Sequence, residues 1–156
     1  MMALKQIISG GQTGADIAGL KAGRELGLVT GGMAPKGYIN ENGNQWWLRD
    51  YGLCESNSSK YDTRTRFNVK DSDGTVIFTL VPLSGGSRLT YNTCEELYKP
   101  KLVINPSGAM IKDDLIAWLI ANNIVILNVS GNRESKCRGI ELKVKTFLVE
   151  ALKGVI

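Results

Sequence analysis

Short apolar runs alternate along the chain with stretches that have helical spacing. Buried strands are predicted at about residues 5–9, 75–78, 102–104 and 124–129, with a short strand or turn at 28–34. Helices are predicted at about 15–26, 61–70 and 88–98, through Ile111, Leu115, Trp118 and Leu119, and through Ile140, Val144, Phe147, Leu148 and Ala151. This alternation predicts the α/β class: an open, mostly parallel sheet with helices on both faces, in one domain over residues 1–156.

A long polar stretch interrupts the alternation between Pro35 and about residue 59. It is longer than an ordinary connection, which predicts either a functional segment or a small irregular element. Trp46 and Trp47 lie within it. Their rings can stack on a flat heterocycle, or they can cover a subunit contact or the end of the core; we favour the second interpretation.

The segment Ser9–Gly14 reads Ser-Gly-Gly-Gln-Thr-Gly and joins the first strand to the first helix. Glycine lets the backbone turn tightly and approach a ligand, and the free N–H groups at a helix start favour an anion. We therefore expect the backbone N–H groups of Gly11 to Gly14 to hold a phosphate or another oxyanion. Thr13 is predicted to cap the helix, with Asp16 in a capping-box-like position.

Two further glycine loops follow predicted strands, one at Gly85 and one at Gly131. Loops after the strands of an open parallel sheet lie on one rim, where ligands bind, and the loop at Pro35 is expected to join them. The sequence thus predicts one site for a phosphorylated small molecule. The expected binding residues are Gly10, Gly11, Gln12, Thr13, Gly14, Lys36, Arg64, Gly85, Gly86, Ser87, Thr90, Arg133 and Ser135.

Hydroxyl groups and positive charges give this set its chemistry. It offers hydroxyls on Thr13, Ser87 and Thr90, and charges on Lys36, Arg64 and Arg133. Arg133 can hold an oxyanion through two parallel hydrogen bonds. A solvated surface role is the alternative for each basic residue.

The chain contains no histidine and three widely spaced cysteines, Cys54, Cys94 and Cys137. This composition excludes Ser-His-Asp and Cys-His catalysis, offers no spacing for structural zinc and suits a reducing compartment. Asp71 and Asp73 can bind Mg²⁺ beside a phosphate, but an aspartate in an Asp-Gly turn more often accepts hydrogen bonds from nearby N–H groups. No catalytic residue is assigned.

The formal net charge is +4, without a Lys/Arg run or a basic-aromatic stripe. Nucleic acid is therefore not a predicted partner. The chain opens without the pattern of a secretory leader, and it has no apolar run long enough to cross a bilayer. We expect a cytoplasmic protein with no membrane partner.

Several short blocks, spread in order over nearly the whole chain, share a distinctive pattern. They are Ser9–Gly14 with Asp16; Gly31, Gly32 and Pro35–Gly37; Glu41, Gly43, Tyr51, Leu53 and Glu55; Tyr61, Arg64, Thr65, Asn68, Val69 and Asp71–Thr75; Gly85, Gly86, Leu89, Thr90, Lys99 and Pro100; Leu127–Val129, Gly131, Arg133 and Ser135; Gly139, Ile140, Phe147 and Leu148. In these blocks the chain resembles the putative molybdenum carrier family.

The resemblance implies a Rossmann-like fold of the wider group that includes lysine-decarboxylase-like phosphoribohydrolases and DNA-processing proteins. It implies binding of the molybdenum cofactor (molybdopterin), a pterin that carries a phosphate monoester and a dithiolene-bound metal. It also implies assembly as a homodimer or homotetramer.

Two functions follow from the resemblance. The first is a carrier without catalysis, in which the glycine loops hold the phosphate and the rim holds the pterin. The alternative is a nucleotide-processing enzyme of the phosphoribohydrolase or N-glycosidase type. Those enzymes follow their Gly-Gly loop with Gly-Thr and a closely spaced glutamate pair, whereas here Ser87 follows and Glu95 and Glu96 come about a helical turn from the expected place.

The carrier is the main hypothesis, and Glu134 or Asp73 remains as a base for the enzyme. Single-strand DNA binding is a third possibility, but the sequence lacks an aromatic stacking platform for bases.

Overall fold

The computed structural model describes residues 2–109 and 112–156 and contains one six-stranded sheet. In chain order the strands are β1 (Gln6–Ile8), β2 (Val29–Ala34), β3 (Ile39–Asn40), β4 (Gly43–Asn44), β5 (Leu53–Glu55), β6 (Gly74–Phe78), β7 (Lys101–Ile104) and β8 (Ile126–Gly131). The helices are α1 (Ala15–Glu25), α2 (Tyr61–Asp71), α3 (Gly85–Glu96), α4 (Lys112–Ala121) and α5 (Ile140–Leu152). The predicted Ile111 lies outside the described residues.

The sheet order is β5-β2-β1-β8-β6-β7, and every pairing within it is parallel. α1 packs against α5 and α5 against α4 on one face, while α2 and α3 pack together on the other. The predicted class, a Rossmann-like parallel sheet with helices on both faces, is confirmed. No helix in the described part of the chain is long and apolar enough to cross a membrane.

The main core lies between the sheet and the layer of α1, α4 and α5. Phe78 from β6 meets Phe147 of α5 edge-to-face, with 5.8 Å between the ring centroids. α1 lies so close to the sheet that an added Cβ on Gly19 would be only 2.7 Å from Val129 Cβ. Glycine at this position therefore has a clear physical reason, since it allows the close approach.

The opposite face of the sheet is polar where α2 and α3 cover it. Asn128 Nδ2 donates to Thr75 Oγ1 at 3.2 Å, and the hydroxyls of Thr90 and Ser130 lie 3.3 Å apart. All four residues are buried. Hydrogen bonds between them offset the cost of removing these groups from water.

The long polar stretch forms the predicted irregular element. Short 3₁₀ helices at Lys36–Tyr38 and Trp46–Tyr51 flank the antiparallel pair β3–β4, and a small second core forms around Leu20, Leu48 and Leu53. Trp46 is half exposed and packs edge-on against Tyr38. Trp47 likewise packs against Tyr51.

Two predicted helix starts need correction. α3 begins at Gly85 and not at residue 88, because Ser84 and Ser87 form a reciprocal capping box that starts the helix earlier despite its two glycines. The N-cap of α1 is Gly14 and not Thr13. The Thr13 hydroxyl donates instead to Glu41 Oε2.

Asp73 lies at the amino end of the sheet, away from the rim where ligands bind. Its Oδ2 atom accepts the N–H groups of Val125 and Ile126 at 2.9 and 2.8 Å, which ties the start of β8 to β6. Asp71 is exposed at the end of α2. Asp73 therefore accepts hydrogen bonds from the backbone, which favours the alternative interpretation, and magnesium binding by this pair stays an untested prediction.

Replacing Asp73 by alanine is expected to lower the free energy of unfolding by about 1–3 kcal/mol, because two N–H groups lose their shared acceptor. Urea unfolding measures the change, and Asp71→Ala is the matched control with little or no effect. Equal effects of the two substitutions would contradict the structural role, as would stabilisation of the wild type by millimolar Mg²⁺ that Asp73→Ala abolishes.

Candidate functional site

A cavity of about 160 Å³ opens at the carboxyl end of the sheet, between the loops after β1, β6 and β8 and the starts of α2 and α3. We call it the rim cavity. Its lining consists of Gln12, Asp16, Tyr61, Arg64, Thr65, Ser84, Gly85, Gly86, Ser87, Leu89, Thr90, Ser130, Gly131, Asn132, Arg133 and Lys136. The three predicted glycine loops thus converge.

The topology explains why the cavity forms here. β1, β8 and β6 are neighbours in the sheet. The chain leaves β1 and β8 towards α1 and α5 on one face but leaves β6 towards α3 on the other. Loops that diverge to opposite faces leave a crevice beyond the strand ends, which is the usual ligand position in open α/β sheets.

The rim cavity contains about half of the expected binding residues. Those that line it are Gln12, Arg64, Gly85, Gly86, Ser87, Thr90 and Arg133. Gly10 lies just behind it, where an added Cβ would meet Arg64 Nη1 at 2.2 Å. Gly11, Thr13, Gly14, Lys36 and Ser135 do not line it, and Lys36 is exposed at the start of the irregular element.

Several N–H groups of the opening glycine loop donate to acceptors within the protein. Gln12 N–H donates to Asp16 Oδ2 at 3.1 Å, Thr13 N–H to Gln12 Oε1 at 3.0 Å, and Ala15 N–H to the Asn132 carbonyl at 3.1 Å. The Asp16 carboxylate occupies the kind of position that a phosphate takes at a helix start. The Asp16 carboxylate thus occupies the Gln12 N–H group, and the expectation that the N–H groups of Gly11 to Gly14 hold a phosphate stays a prediction.

Thr13 and Ser135 belong to a clamp around Glu41. The Glu41 carboxylate accepts the hydroxyls of both and the N–H of Ser135 at 3.2 Å, with Arg133 Nε 3.8 Å away. Partial burial works to raise the pKa of Glu41, but the hydrogen bonds from Ser135 and Thr13 and the Arg133 charge outweigh it, so the pKa is lowered. The clamp fastens the β3–β4 hairpin to the loops after β1 and β8.

The start of α3 is an open helix N-terminus that faces the rim cavity. The first N–H groups of a helix have no partner within it and carry the positive end of its dipole. An added Cβ on Gly85 or Gly86 would have no atom within 4 Å, so a ligand has room to approach both residues. Gly85 also has φ of +50°, which favours glycine.

Arg64 and Asp16 form a buried ion pair on the cavity wall. Arg64 Nη1 lies 3.5 Å from Asp16 Oδ2, and their side chains are only 11% and 3% exposed. Burial raises the pKa of Asp16, while Arg64 and the N–H groups of Gln12 and Gly10 oppose that shift. Arg64 Nε is buried and has no hydrogen-bond partner among the described residues.

Two further basic side chains add positive charge to the lining of the rim cavity. Lys136 Nζ donates to Ser84 Oγ beside the start of α3, and the half-exposed Arg133 reaches the rim. Tyr61 and Leu89 supply an aromatic and an aliphatic surface on the lining. The Arg64 guanidinium lies 5.5 Å from the centroid of the Tyr61 ring.

The carboxylates considered for an enzyme lie elsewhere. Glu95 pairs with Lys101 at 2.8 Å and Glu96 with Arg66 at 3.0 Å, both at the far end of α3. Glu134 accepts the N–H groups of Gly139 and Glu141 at the start of α5. Among the acidic residues in the described ranges, Asp16 is the one that lines the rim cavity.

Sequence reasoning missed several lining residues. The sequence predicts Asp16 only as part of a helix cap, and Lys136 and Asn132 are not among the expected binding residues although both lie in or beside the polar loop after β8. The Asn132 side chain accepts Leu80 N–H at 3.0 Å, which binds the ends of β6 and β8 together. A Ser-x-x-Ser pattern before the apolar face of α3 was the signal that could have placed Ser84 at the helix start.

The fold and the site define an α/β protein of the SLOG type. The chain belongs to the circularly permutated YpsA SLOG family, whose model matches residues 7–152. It is similar to a solved structure, the Putative molybdenum carrier protein from Syntrophus aciditrophicus SB, with 39% identity, a TM-score of 0.89, and coverage of 96% of this chain and 95% of that one. A comparison with curated proteins gives no match.

Proposed function

We propose that this protein binds a phosphate-bearing small molecule in the rim cavity and carries it without catalysis. The observation that supports this most directly is Arg64 Nε, a donor buried on the cavity wall without a partner. A buried unpaired donor is costly, and a small shift of the Arg64 side chain would turn it towards an oxyanion bound in the cavity. The start of α3, Lys136 and Arg133 add further donors around the same space.

The cavity volume suits the phosphate end of such a ligand. About 160 Å³ is below the range of about 300–1,000 Å³ that encloses a complete drug-sized molecule. We therefore place the phosphate deep, against Arg64 and α3, and the heterocycle at the mouth. Tyr61 and Leu89 offer it apolar contact there.

The cargo we propose is the molybdenum cofactor. The resemblance implies it, and the solved relative bears the name of a molybdenum carrier. The residues fit its phosphate monoester. In the described ranges no group of three or more His, Cys, Asp or Glu side chains is placed to hold a metal ion, so we infer that the protein grips the phosphate and the cofactor's own dithiolene keeps the metal.

Carriage is favoured over nucleotide cleavage because the acidic side chains are engaged. Asp16 accepts backbone N–H and faces Arg64, and the other candidate acids lie outside the cavity. A general base needs a free carboxylate within reach of the substrate. A cytoplasmic location remains our proposal, in keeping with three free cysteines.

A matched pair of lysine substitutions tests the binding site. Lys136→Ala is expected to weaken binding about 10–100-fold because it removes a charge-assisted hydrogen bond, whereas Lys36→Ala is expected to change nothing. Gly86→Val is expected to abolish binding by filling the cavity without loss of thermal stability. Calorimetry measures affinity for guanosine monophosphate, whose guanine ring resembles a pterin and whose ribose carries a phosphate monoester, and guanosine is the ligand control without phosphate.

The identity of the cargo needs a separate measurement. Protein purified from its native host is oxidised, and released pterin fluorescence and molybdenum are quantified. Equal binding by the Lys136 and Lys36 variants would contradict the site, and cleavage of the monophosphate at its glycosidic bond would overturn the carrier in favour of the enzyme.

A further inference from the structure

Two side-chain amides on the lining of the rim cavity have their oxygens occupied by backbone donors. Gln12 Oε1 accepts the N–H groups of Thr13 and Glu41, each at 3.0 Å. Asn132 Oδ1 accepts Leu80 N–H at 3.0 Å. A backbone N–H group can only donate, so these contacts determine which end of each amide is the oxygen and which is the NH₂ group.

The nitrogen of each amide has no partner in the protein. Within residues 2–109 and 112–156, neither Gln12 Nε2 nor Asn132 Nδ2 makes a hydrogen bond. Neither nitrogen is sealed from solvent, because in the part of the chain that the structure describes Arg64 Nε is the one side-chain donor that is both fully buried and unpartnered. Both NH₂ groups therefore face accessible space.

That accessible space is the rim cavity, and the two amides lie deep in it. Both residues line the cavity, yet Gln12 is only 7% and Asn132 only 3% exposed. They belong to the loops after β1 and β8, which are neighbouring strands of the sheet. Tyr61 and Leu89, each 37% exposed, lie at the mouth instead.

An NH₂ group placed in this way requires an acceptor from the ligand. It can donate two hydrogen bonds and accept none, and a buried donor without a partner is costly. The oxygens of a phosphate accept several hydrogen bonds at once. A ligand group that presents only N–H or C–H there would leave both amides unpaired, so these donors discriminate between ligands as well as adding affinity.

We propose that Gln12 and Asn132 are specificity-determining residues of the rim cavity, and that their side-chain NH₂ groups donate to the phosphate oxygens of the ligand. This inference rests on the proposed function and names two neutral donors beside the charged ones. Gln12 is among the residues expected from the sequence, whereas Asn132 is a new assignment. The N–H groups of Glu41 and Leu80 hold the two amides in place before the ligand arrives, which lowers the entropic cost of binding.

Conversion of each amide to the matching carboxylate tests the donors. Gln12→Glu and Asn132→Asp keep an oxygen for the backbone N–H groups but replace the NH₂ donor by an acceptor of the same shape. Each is expected to raise the dissociation constant for guanosine monophosphate about 30-fold or more in calorimetry. Asn42→Asp is the matched control, because it makes the same chemical change at an exposed residue of the hairpin outside the rim cavity, and its affinity is expected to stay within about 3-fold of wild type. Circular dichroism checks that each variant is folded.

Nuclear magnetic resonance of the ¹⁵N-labelled wild type observes the two NH₂ groups directly and does not depend on the variants. Triple-resonance spectra assign the side-chain amide signals of Gln12, Asn132 and Asn42. The signals of Gln12 and Asn132 are expected to shift when inorganic phosphate is added and to stay in place when guanosine is added. The signal of Asn42 is expected to stay in place with both.

The outcomes separate this inference from the function on which it rests. Variants that bind as tightly as Asn42→Asp, or amide signals that stay in place while phosphate binds, overturn the inference; the proposed function stands in that case if Lys136→Ala still weakens binding. Amide signals that shift with guanosine but not with phosphate overturn the assignment to the phosphate. Absence of phosphate binding by the wild type overturns the proposed function and this inference with it.

Discussion

Replacing Gly131 by alanine is expected to lower the free energy of unfolding by about 3–5 kcal/mol, the largest stability loss expected of any glycine substitution at the site. An added Cβ would lie 2.0 Å from the Phe78 carbonyl oxygen and 2.8 Å from Ala15 Cβ, and the backbone has φ of +152°. Overpacking and backbone strain each cost about 1–3 kcal/mol. The contacting oxygen belongs to the Phe78 backbone at the end of β6, so it cannot rotate away as a side chain could.

The measurement is chemical unfolding, with Gly139→Ala as the control. Gly139 also has a positive φ, of +88°, but no atom lies within 4 Å of an added Cβ, so only the backbone strain of about 1–2 kcal/mol applies. Ligand affinity is expected to fall in Gly131→Ala, since the contact holds the loops after β6 and β8 together. Equal stability of the two variants would show that the close approach is not what Gly131 provides.

Arg64→Gln is expected to abolish ligand binding and to lower the free energy of unfolding by about 3–5 kcal/mol at pH 7. The substitution removes the positive charge beside the buried Asp16 carboxylate, and breaking a buried pair leaves an uncompensated charge. It also removes the donor at Nε that we assign to the phosphate. Urea unfolding and calorimetry with guanosine monophosphate measure the two effects separately.

The stability effect of Arg64→Gln depends on pH in a direction that the structure specifies. The pKa of Asp16 is raised in the folded state, so the folded protein binds the proton more tightly than the unfolded chain, and this site favours folding as the pH falls. Loss of Arg64 raises that pKa further. The difference in free energy of unfolding between wild type and variant is therefore expected to be largest at pH 7 and above. It is expected to shrink as the pH approaches the ordinary aspartate pKa of about 4.

Asp16→Asn supplies the control for this interpretation. Asparagine keeps an oxygen that can accept Gln12 N–H but carries no charge. The double variant Asp16→Asn/Arg64→Gln is expected to recover most of the stability without recovering ligand binding. A gap that stays constant with pH, or a double variant as unstable as Arg64→Gln alone, would contradict the ion pair as the cause.

The pattern of apolar residues predicted the strands and helices well because the buried central strands appear in the sequence as short, mostly apolar runs. All five residues of β6 are buried, and they form the run Gly74–Phe78. The start of α3 was missed because two glycines with poor helix propensity stand in its first turn, and only the contact between Ser84 and Ser87 begins the helix there. Local propensity and local side-chain contacts disagreed, and the contacts prevailed.

The site was predicted in outline but not in its parts. Strand order determined that the loops at Gly10, Gly85 and Gly131 meet, and the sequence alone could not show that β8 lies between β1 and β6. The Ser9–Gly14 segment looked like a phosphate loop by composition. The N–H groups of Gln12 and Thr13 donate to the side chains of Asp16 and Gln12, and no local pattern reveals which acceptor a backbone donor will find.

By itself the sequence determined the α/β class, the alternation of elements and the presence of a glycine-lined rim, because periodicity and turn chemistry are local properties of the chain. The tertiary structure alone decided which acceptors the backbone N–H groups of each loop find. It brought Asp16 to the opening loop and Arg64 to Asp16 across forty-eight positions of sequence, leaving the start of α3 open. Pairing of charges over such separations depends on how the layers pack, and that is settled only when the whole sheet has formed.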